Sequence, residues 1–231
     1  MRLDKFICAC TGLTRTQAKK IISKREVCVS GVFIKDPALK IADQDEVVFL
    51  GQRLFLHGAR YIMLNKPLGV VCTSIEDDAR SVMALLNIDD REALHIAGRL
   101  DIDTTGLVIL TDDGGWSHRI TSPKKKCGKR YRVELAEPLV PEALRQFEQG
   151  IQLHGEKHLT RPAQLEIISP QEVLLTIHEG KYHQVKRMFA ALNNRVVSLH
   201  REQVGEIQLD KSLEEGAWRF LSEAEVGSVG S

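Results

Sequence analysis

Two carboxylates stand where an apolar strand would be expected to continue without interruption. Residues 98–107 read GRLDIDTTGL and run directly into the apolar segment LVIL at 107–110. Asp101 and Asp103 are accompanied there by an arginine, two threonines and two glycines. Such a break in local pattern is typical of a functional site. A carboxylate in this setting can add to an electrophilic carbon, stabilise positive charge or accept a proton.

The neighbours of the carboxylates indicate a tight loop. Gly98 and Gly106 permit backbone conformations that other residues rarely adopt, and the hydroxyls of Thr104 and Thr105 can bond to nearby backbone groups. The loop would then present a carboxylate from a rigid sheet, with Arg99 placed to contact phosphate or to insert into a nucleic-acid stack. Taken alone, the same carboxylates are also compatible with structural capping.

Composition limits the class of protein. The chain has 231 residues, 43% of them hydrophobic, which suits one large domain or two modest ones. It has no apolar run of about 18 residues, and its first residues lack a signal-peptide pattern, so we expect a soluble cytoplasmic protein. Its five cysteines are scattered without a CxxC pair, and we therefore expect neither a disulfide framework nor a metal site.

The net charge of +1 is unevenly distributed along the chain. Residues 1–40 contain nine Lys or Arg against three acids, a net charge of +6, which leaves the remainder near −5. A compact basic segment on a mildly acidic body indicates contact with a polyanion. A solvated lysine-rich face is the alternative.

The basic segment also has a readable architecture. Apolar residues at 3, 6, 7 and 10 predict a helix that ends at Gly12, and Thr14 with Gln17 predicts a capping box that starts a second helix. The sequence VCVSGVFI at 27–34 predicts a hairpin that turns at Ser30 and Gly31.

Helix, turn, basic helix and hairpin in this order resemble the S-four (S4) RNA-binding domain, named after a small-subunit ribosomal protein. The matching segments are RLDKF at 2–6, LTRTQAKKII at 13–22, V.VSG at 27–31 and DEVVF at 45–49. The resemblance implies binding to structured RNA through five residues, namely Arg15, Lys19, Lys20, Lys24 and Arg25. We assign this domain to residues 1–50, a linker to 51–59 and a second domain to 60–231.

The second domain alternates short apolar runs with turns, and we interpret TDDGG at 111–115 as one of these turns. Seven strands are predicted: YIML at 61–64, GVVC at 69–72, LVIL at 107–110, YRVEL at 131–135, AQLEII at 163–168, VLLTI at 173–177 and VVSL at 196–199. Helices are predicted at 141–150 and 183–192. Many strands with few helices favour an α+β fold on an extensive mixed, mainly antiparallel sheet. The chain has neither GxGxxG after a strand nor GxxxxGK[ST], which disfavours nucleotide-binding folds and cofactor-dependent methyltransferases.

Four ordered motifs together resemble the pseudouridine synthases, in particular the branch that acts on small-subunit ribosomal RNA and carries an N-terminal S4 domain. They are LNKPLG at 64–69, GRLDIDTTGL at 98–107, KRYRV at 129–133 and EGKYHQVKRM at 179–188. TDDGGWSHRITSP at 111–123 is a further shared stretch.

The resemblance implies specific roles. Asp101 matches the catalytic aspartate, Tyr131 the aromatic that stacks on the target base and can assist proton removal, and Lys186 the basic residue that pairs with the carboxylate. Much of the wider family has arginine at this last position, so the bidentate contact of a guanidinium is lost here. Arg99 matches a residue that helps to displace the target nucleotide. Arg187 is expected to contact RNA or to support structure, and Asp103 to be a structural neighbour.

The implied reaction breaks the N1–C1′ bond of uridine, rotates the base and joins C5 to C1′. It needs no redox partner, group donor or metal, so we expect no cofactor. The carboxylate either adds covalently or stabilises positive charge at C1′. The expected partner is small-subunit ribosomal RNA or an assembly intermediate, bound by a monomer. The alternatives are a large-subunit rRNA substrate and a non-catalytic ribosome-assembly factor.

Overall fold

The computed structural model describes residues 1–42, 44–54, 58–74, 80–122, 125 and 127–229. The chain divides into two compact units, an N-terminal unit, Met1–Gly58, and a C-terminal unit, Ala59–Ser231. Each unit has its own apolar core. Among the described residues, none of the helices has the length and apolar character needed to span a membrane.

The described part of the N-terminal unit packs two helices against a small antiparallel sheet. The helices are α1 (Leu3–Thr11) and α2 (Arg15–Ser23), and the strands are β1 (Val27–Val29), β2 (Val32–Phe33), β3 (Val47–Phe49) and β4 (Gln52–Leu54). The strands are ordered β2-β1-β3-β4. The core of this unit contains Leu3 and Ile7 of α1, Ala18 and Ile22 of α2, and Val27 of β1.

Local sequence signals in this unit are confirmed. Helix α1 ends at Gly12, which adopts the left-handed conformation with φ of 68°. The capping box forms at the start of α2, where the backbone N–H of Thr14 donates to Gln17 Oε1 at 2.8 Å and that of Gln17 donates to Thr14 Oγ1 at 3.3 Å. The predicted hairpin pairs Val29 with Val32 across Ser30 and Gly31.

The predicted linker is wrong at its beginning. Residues 52–54 form β4, which pairs with β3 so that Phe49 lies opposite Gln52. The two-residue turn at Leu50 and Gly51 returns the chain at once, so this segment completes the sheet and is not a connection between units. Residues 55–57, also assigned to the linker, lie outside the described residues.

The C-terminal unit is built on a large mixed sheet. Its described strands are β5 (Tyr61–Lys66), β6 (His95–Ile96), β7 (Thr105–Thr111), β8 (Lys129–Leu135), β9 (Gln164–Ser169), β10 (Glu172–Ile177), β11 (Val196–Val204), β12 (Ile207–Gln208) and β13 (Trp218–Phe220). Its described helices are α3 (Gly114–Thr121), α4 (Glu142–Gln149), α5 (Gln184–Ala190) and α6 (Glu223–Gly227), with 3-10 turns at Val82–Leu85 and Arg91–Ala93.

Sheet order in this unit confirms the α+β prediction. The strands follow β13-β5-β7-β11-β8-β10-β9, with β12 paired to β11 and β6 paired to β7. The contact between β7 and β11 is parallel, and the other pairs described are antiparallel. The sheet is therefore mixed and mainly antiparallel.

Strand β7 is apolar along its whole length because both faces of the sheet are covered. Val108 and Leu110 belong to one apolar cluster, whereas Leu107 and Ile109 belong to another. Successive side chains of a strand point to opposite faces, so a strand buried on both sides reads as a continuous apolar run. Helix α3 contributes to the second cluster through Trp116. A rigid strand thus follows the carboxylates directly.

Two sequence interpretations in this unit are wrong. The segment GVVC at 69–72 forms no strand and makes only an isolated bridge between Val71 and Ser81. The reason is that its backbone bonds to loops, since Gly69 N–H donates to the carbonyl of Ile102 at 3.0 Å. The sequence TDDGG, interpreted as a turn, includes the start of α3, where Asp113 Oδ1 accepts from Trp116 N–H at 2.9 Å.

The start of β7 depends on a glycine. Gly106 lies opposite Arg201 in the parallel β7–β11 pair and has φ of +99°. A Cβ at this position would lie 2.4 Å from the backbone oxygen of Arg201. No side chain has space there, and the backbone conformation would itself be strained.

We expect Gly106→Ala to lower the free energy of unfolding by at least about 2 kcal/mol, through strain and overpacking. Urea denaturation at constant pH measures the change. Gly114→Ala is the matched control, because a Cβ on Gly114 meets nothing within 4 Å. Equal stability of the two variants would contradict the expected clash with Arg201.

Candidate active site

One buried guanidinium connects the start of the carboxylate loop, residues 98–104, to the strand that follows the loop. Arg201 of β11 is 2% exposed. Its Nη2 donates to the carbonyl of Gly98 at 2.8 Å, and its Nε donates to the carbonyl of Leu107 at 2.8 Å. The arginine therefore ties the entry of the loop to the strand that follows it.

A buried lysine supports the same loop from the LNKPLG motif. Lys66, fully buried at the end of β5, donates through Nζ to the carbonyls of Val70 at 2.7 Å, Pro67 at 2.9 Å and Ile102 at 3.4 Å. Burial lowers the pKa of this ammonium, since the charged form loses water contacts. Lys66 thus joins two motifs that are far apart in sequence.

The threonines of the loop contribute differently from the prediction. Thr105 Oγ1 lies 2.8 Å from His200 Nδ1 and 3.5 Å from the carbonyl of Leu199, so its hydroxyl does tie the loop to β11. Thr104 Oγ1 is buried without a hydrogen-bond partner among the described residues, and its backbone N–H donates instead to the carbonyl of Asp101 at 3.1 Å. The prediction of side-chain bonding is wrong for Thr104.

One ammonium contacts both carboxylates of the loop. Lys186 Nζ, from α5, lies 3.2 Å from Asp101 Oδ2 and also bonds to Asp103 Oδ1. Hydrogen bonding from Lys186 lowers the pKa of the Asp103 carboxyl. The Asp103 side chain is 62% exposed against 32% for Asp101, so Asp103 is the more solvated partner. A third side chain, His183, brings its Nε2 to 3.6 Å from Asp101 Oδ1.

Buried hydrogen bonds fix the segment that carries Lys186. Gln184 accepts from the backbone N–H of Lys181 at 2.9 Å and donates to Glu179 Oε1 at 2.9 Å. Glu179 Oε1 also accepts from the backbone N–H of Arg161 at 2.9 Å. The entry into α5 is therefore braced on both sides, and Lys186 follows within its first turn.

Arg187 points elsewhere, as its position on a helix requires. Its guanidinium donates to the carbonyls of His154 at 2.8 Å and Tyr182 at 3.0 Å, and to Glu156 Oε1 at 3.3 Å. These bonds favour the structural role among the two predicted for Arg187. An RNA contact at this residue stays a prediction.

Tyr131 lies on the same cavity as Asp101. It occupies β8 opposite Arg201 of β11, is 8% exposed, and packs in the main apolar cluster. A cavity of about 520 Å³ is lined by Asp101, Tyr131 and Lys186, and also by Arg99. Arg99 is exposed, and its guanidinium makes no hydrogen bond or ion pair with the described residues. The structure thus brings three predicted residues, Arg99, Tyr131 and Lys186, to the cavity that Asp101 also lines.

Sequence reasoning missed the supporting cations of this cavity. Lys129 also lines it and donates through Nζ to the carbonyls of Cys127 at 2.8 Å and Ile120 at 3.0 Å. Burial lowers the pKa of Lys129. The sequence signal that could have identified these cations is a lysine within an apolar strand pattern, as at Lys66 and Lys129. Across the described ranges, no cluster of three or more His, Cys, Asp or Glu side chains is placed to hold a metal ion.

Comparison with known proteins identifies the family of the chain. Residues 60–191 match the family model described as RNA pseudouridylate synthase. The chain belongs to this family. Residues 1–47 of the synthase match the S4 domain model. The N-terminal unit therefore contains the S4 domain, and the C-terminal unit contains the pseudouridine synthase domain.

Relatives of the synthase match it over nearly its whole length. "Ribosomal small subunit pseudouridine synthase A" of Vibrio cholerae is 54% identical over 229 residues, which cover 99% of each chain. The protein of the same name from Escherichia coli is 51% identical over 230 residues, covering 99% of this chain and 100% of that one. A solved structure, "Crystal structure of pseudouridylate synthase", has a TM-score of 0.73 and 49% identity and covers 100% of both chains.

The predicted RNA contacts of the S4 domain are all exposed on its surface. Lys19 and Lys20 extend from α2 without a hydrogen bond or ion pair from their side chains to the described residues. Arg15 Nε lies 3.2 Å from the buried carboxylate of Asp4, which Arg2 also contacts at 2.9 Å. These two guanidinium groups hold the pKa of Asp4 far below its usual range, with the Arg2 hydrogen bond as the largest cause.

The remaining two predicted contacts flank the end of α2. Lys24 Nζ lies 3.9 Å from Glu26 Oε1, and Arg25 is exposed with a left-handed backbone. Lys19, Lys20 and Arg25 are therefore the predicted contacts whose charge is least engaged by the described part of the protein.

Proposed function

We propose that this synthase converts a uridine of small-subunit ribosomal RNA into pseudouridine, with Asp101 as the catalytic residue. The observation that supports the catalytic assignment most strongly is the bond between Lys186 and Asp101 at the cavity that Tyr131 lines. The substrate class follows from the names of the full-length relatives. Those names favour the small subunit over the large one, and family membership favours an enzyme over a non-catalytic assembly factor.

The reaction requires one carboxylate placed at the ribose carbon C1′. When the N1–C1′ bond breaks, the electron pair leaves with N1, and Asp101 either bonds to C1′ or stabilises its positive charge. The uracil rotates in the cavity, C5 bonds to C1′, the proton on C5 is removed and N1 gains a proton. Substrate and product are isomers, so no co-reactant enters the balance. Because the detached base reacts again in place, no second carboxylate is needed to activate water.

The other residues position and hold the base. Tyr131, which lines the cavity, is proposed to stack on uracil and to assist removal of the C5 proton. Stacking of this kind contributes about 1–3 kcal/mol. Lys186 is proposed to hold the Asp101 carboxylate in one orientation, while Asp103 keeps the ammonium in place from the solvent side. Arg99, exposed and without a partner in the described chain, is proposed to help displace the target nucleotide from its stack.

The S4 domain is proposed to supply affinity through phosphate contacts. The charge-assisted contacts of Lys19 and Lys20 would position RNA without reading its sequence. Arg25 is a further candidate, whereas Arg15, Lys24 and Arg187 are weaker ones, since protein groups engage them. The proposed acting form is a monomer in the cytoplasm, where ribosomal RNA and its assembly intermediates are found.

We expect Lys19→Ala with Lys20→Ala, in the full chain, to weaken rRNA binding and to lower the slope of log affinity against log salt. Loss of two phosphate contacts reduces that slope by about 1.4–1.8. Binding isotherms at several salt concentrations measure both quantities. Lys35→Ala with Lys40→Ala removes the same charge outside the basic helix and should change the slope less. Equal effects of the two pairs would show that only net charge matters.

The proposed function is tested by incubating the whole chain with small-subunit rRNA, large-subunit rRNA and assembly intermediates of each subunit, in the absence of any cofactor. Pseudouridine is then mapped by nucleotide. New pseudouridine at one position of small-subunit rRNA is the expected result. Modification confined to the large subunit would overturn the substrate assignment, and the absence of pseudouridine in free rRNA and in assembly intermediates would overturn the activity.

A further inference from the structure

Tyr182 presents an aromatic ring to solvent beside the proposed active site. It is 76% exposed, more than any other large apolar side chain in the described part of the C-terminal unit. Its ring stacks on that of His183, with centroids 3.8 Å apart and planes inclined by 20°. Exposed aromatic rings on RNA-binding proteins are typical stacking surfaces for unpaired bases.

The stacked pair lies at the cavity that contains Asp101. Tyr182 and His183 both line this cavity, and His183 Nε2 is 3.6 Å from Asp101 Oδ1. His183 covers one face of the tyrosine ring, and the high exposure of Tyr182 leaves its other face open. A further ring can therefore stack on Tyr182 within one or two ring layers of the catalytic carboxylate.

Two cations close to this pair in sequence are already engaged by the protein. Lys181 Nζ bonds to Glu156 Oε2 at 2.8 Å, and Arg187 Nη1 bonds to Glu156 Oε1 at 3.3 Å. The two cations on either side of the pair in sequence thus share one carboxylate. At this part of the cavity the exposed group is the aromatic face of Tyr182, which suits a nucleobase better than a phosphate.

We propose that Tyr182 and His183 form a stacking platform for the nucleobase adjacent to the target uridine. The proposal rests on the proposed function, in which uracil occupies the cavity at Asp101. A uridine that leaves its stack deprives its neighbour of a stacking partner, and the neighbour remains close because the backbone joins them. Tyr182 replaces the lost contact, so the platform holds the opened RNA conformation.

The first experiment measures equilibrium binding of the full chain to a small-subunit rRNA fragment that the wild-type protein binds, whether or not pseudouridine forms in it. Tyr182→Ala should weaken binding by about 5- to 150-fold, the equivalent of one lost base–aromatic stack. The slope of log affinity against log salt should not change, because no phosphate contact is lost. Tyr182→Phe should bind within about twofold of wild type, since a phenyl ring also stacks.

Phe220→Ala is the matched control. Phe220 is also an exposed aromatic residue of the C-terminal unit, packs on Trp218, and is not among the residues that line this cavity. Its removal should leave binding unchanged. A loss equal to that of Tyr182→Ala would mean that exposed aromatic area in general matters, and the platform would be rejected.

The second experiment identifies the stacked base. An abasic nucleotide is placed immediately before or after the target uridine, and each RNA is bound to wild type and to Tyr182→Ala. At one of the two positions, base removal should weaken wild-type binding while adding little to the effect of Tyr182→Ala, since both remove the same contact. Additive losses at both positions would overturn the proposal.

The remaining outcomes are also decisive. Wild-type affinity in Tyr182→Ala, or a changed salt slope, would contradict base stacking. A fall in kcat with unchanged affinity would make Tyr182 a support for His183, and the platform would be overturned. Failure of the wild-type protein to form pseudouridine would count against the proposed function, whereas these binding measurements do not require turnover.

Discussion

Asp101→Asn should abolish pseudouridine formation while leaving RNA binding intact. The amide keeps the size of the side chain but can neither bond covalently to C1′ nor stabilise its positive charge as a carboxylate does. We expect kcat to fall by at least about 10⁴-fold, the range seen when a group at the reacting centre is removed. Single-turnover pseudouridine formation and equilibrium binding to the same rRNA fragment measure the two properties separately.

Asp103→Asn is the matched control for this change. Asp103 lies two residues away in the same loop, contacts the same ammonium and is more exposed. Its loss should reduce kcat by about tenfold or less, because its proposed role is to hold Lys186. If Asp103→Asn were the inactive variant and Asp101→Asn the active one, the two carboxylates would exchange roles.

Lys186→Met should lower kcat by roughly 100- to 1,000-fold, the usual cost of removing one electrostatic contact at a reacting centre. Methionine retains much of the aliphatic stem but no charge, so Asp101 and Asp103 would face each other without the shared cation. The pKa of Asp103, lowered by Lys186, should then rise toward its ordinary value. Titration of labelled carboxyl carbons by NMR follows that rise, and rate measurements give the fall in kcat.

Two further variants separate this role from a general loss of charge. Lys181→Met removes another ammonium that lines the cavity but is bonded to Glu156, and it should cost about tenfold or less. Lys186→Arg should retain much of the wild-type activity, since a guanidinium can donate to both carboxylates. Full activity in Lys186→Met would mean that the cation is dispensable.

The parts of the fold that follow from local rules were predictable. Gly12 ends α1 and the Thr14–Gln17 box begins α2, because each involves groups within four residues of one another. The strand β4 was missed because the sequence around Leu50 and Gly51 does not by itself indicate a hairpin. Only the pairing of β4 with β3 shows that the chain turns there. Apolar patterning located the longer strands, but it could not order them in the sheet.

In the candidate site, too, local sequence predicts some features, whereas others depend on residues that are distant in sequence. Glycines and carboxylates marked residues 98–107 as unusual, and motif resemblance supplied the pairing of Asp101 with Lys186, whose positions are 85 residues apart in sequence. Arg201 was not singled out, because its bonds reach back 103 residues to Gly98 and 94 residues to Leu107. Its function is visible only when β7 and β11 are seen side by side.

Arg201 and Lys66 bond to the carboxylate loop in the folded protein. These bonds determine at which step the conformational entropy of the loop is lost. Main-chain carbonyls at Gly98, Ile102 and Leu107 are held in place by buried cations before any substrate arrives. Fixing the backbone of a residue costs about 1–2 kcal/mol of conformational entropy. Here that entropy is lost once, when the chain folds, and not again in each catalytic cycle. A carboxylate set in advance needs little reorganisation at the moment of bond cleavage.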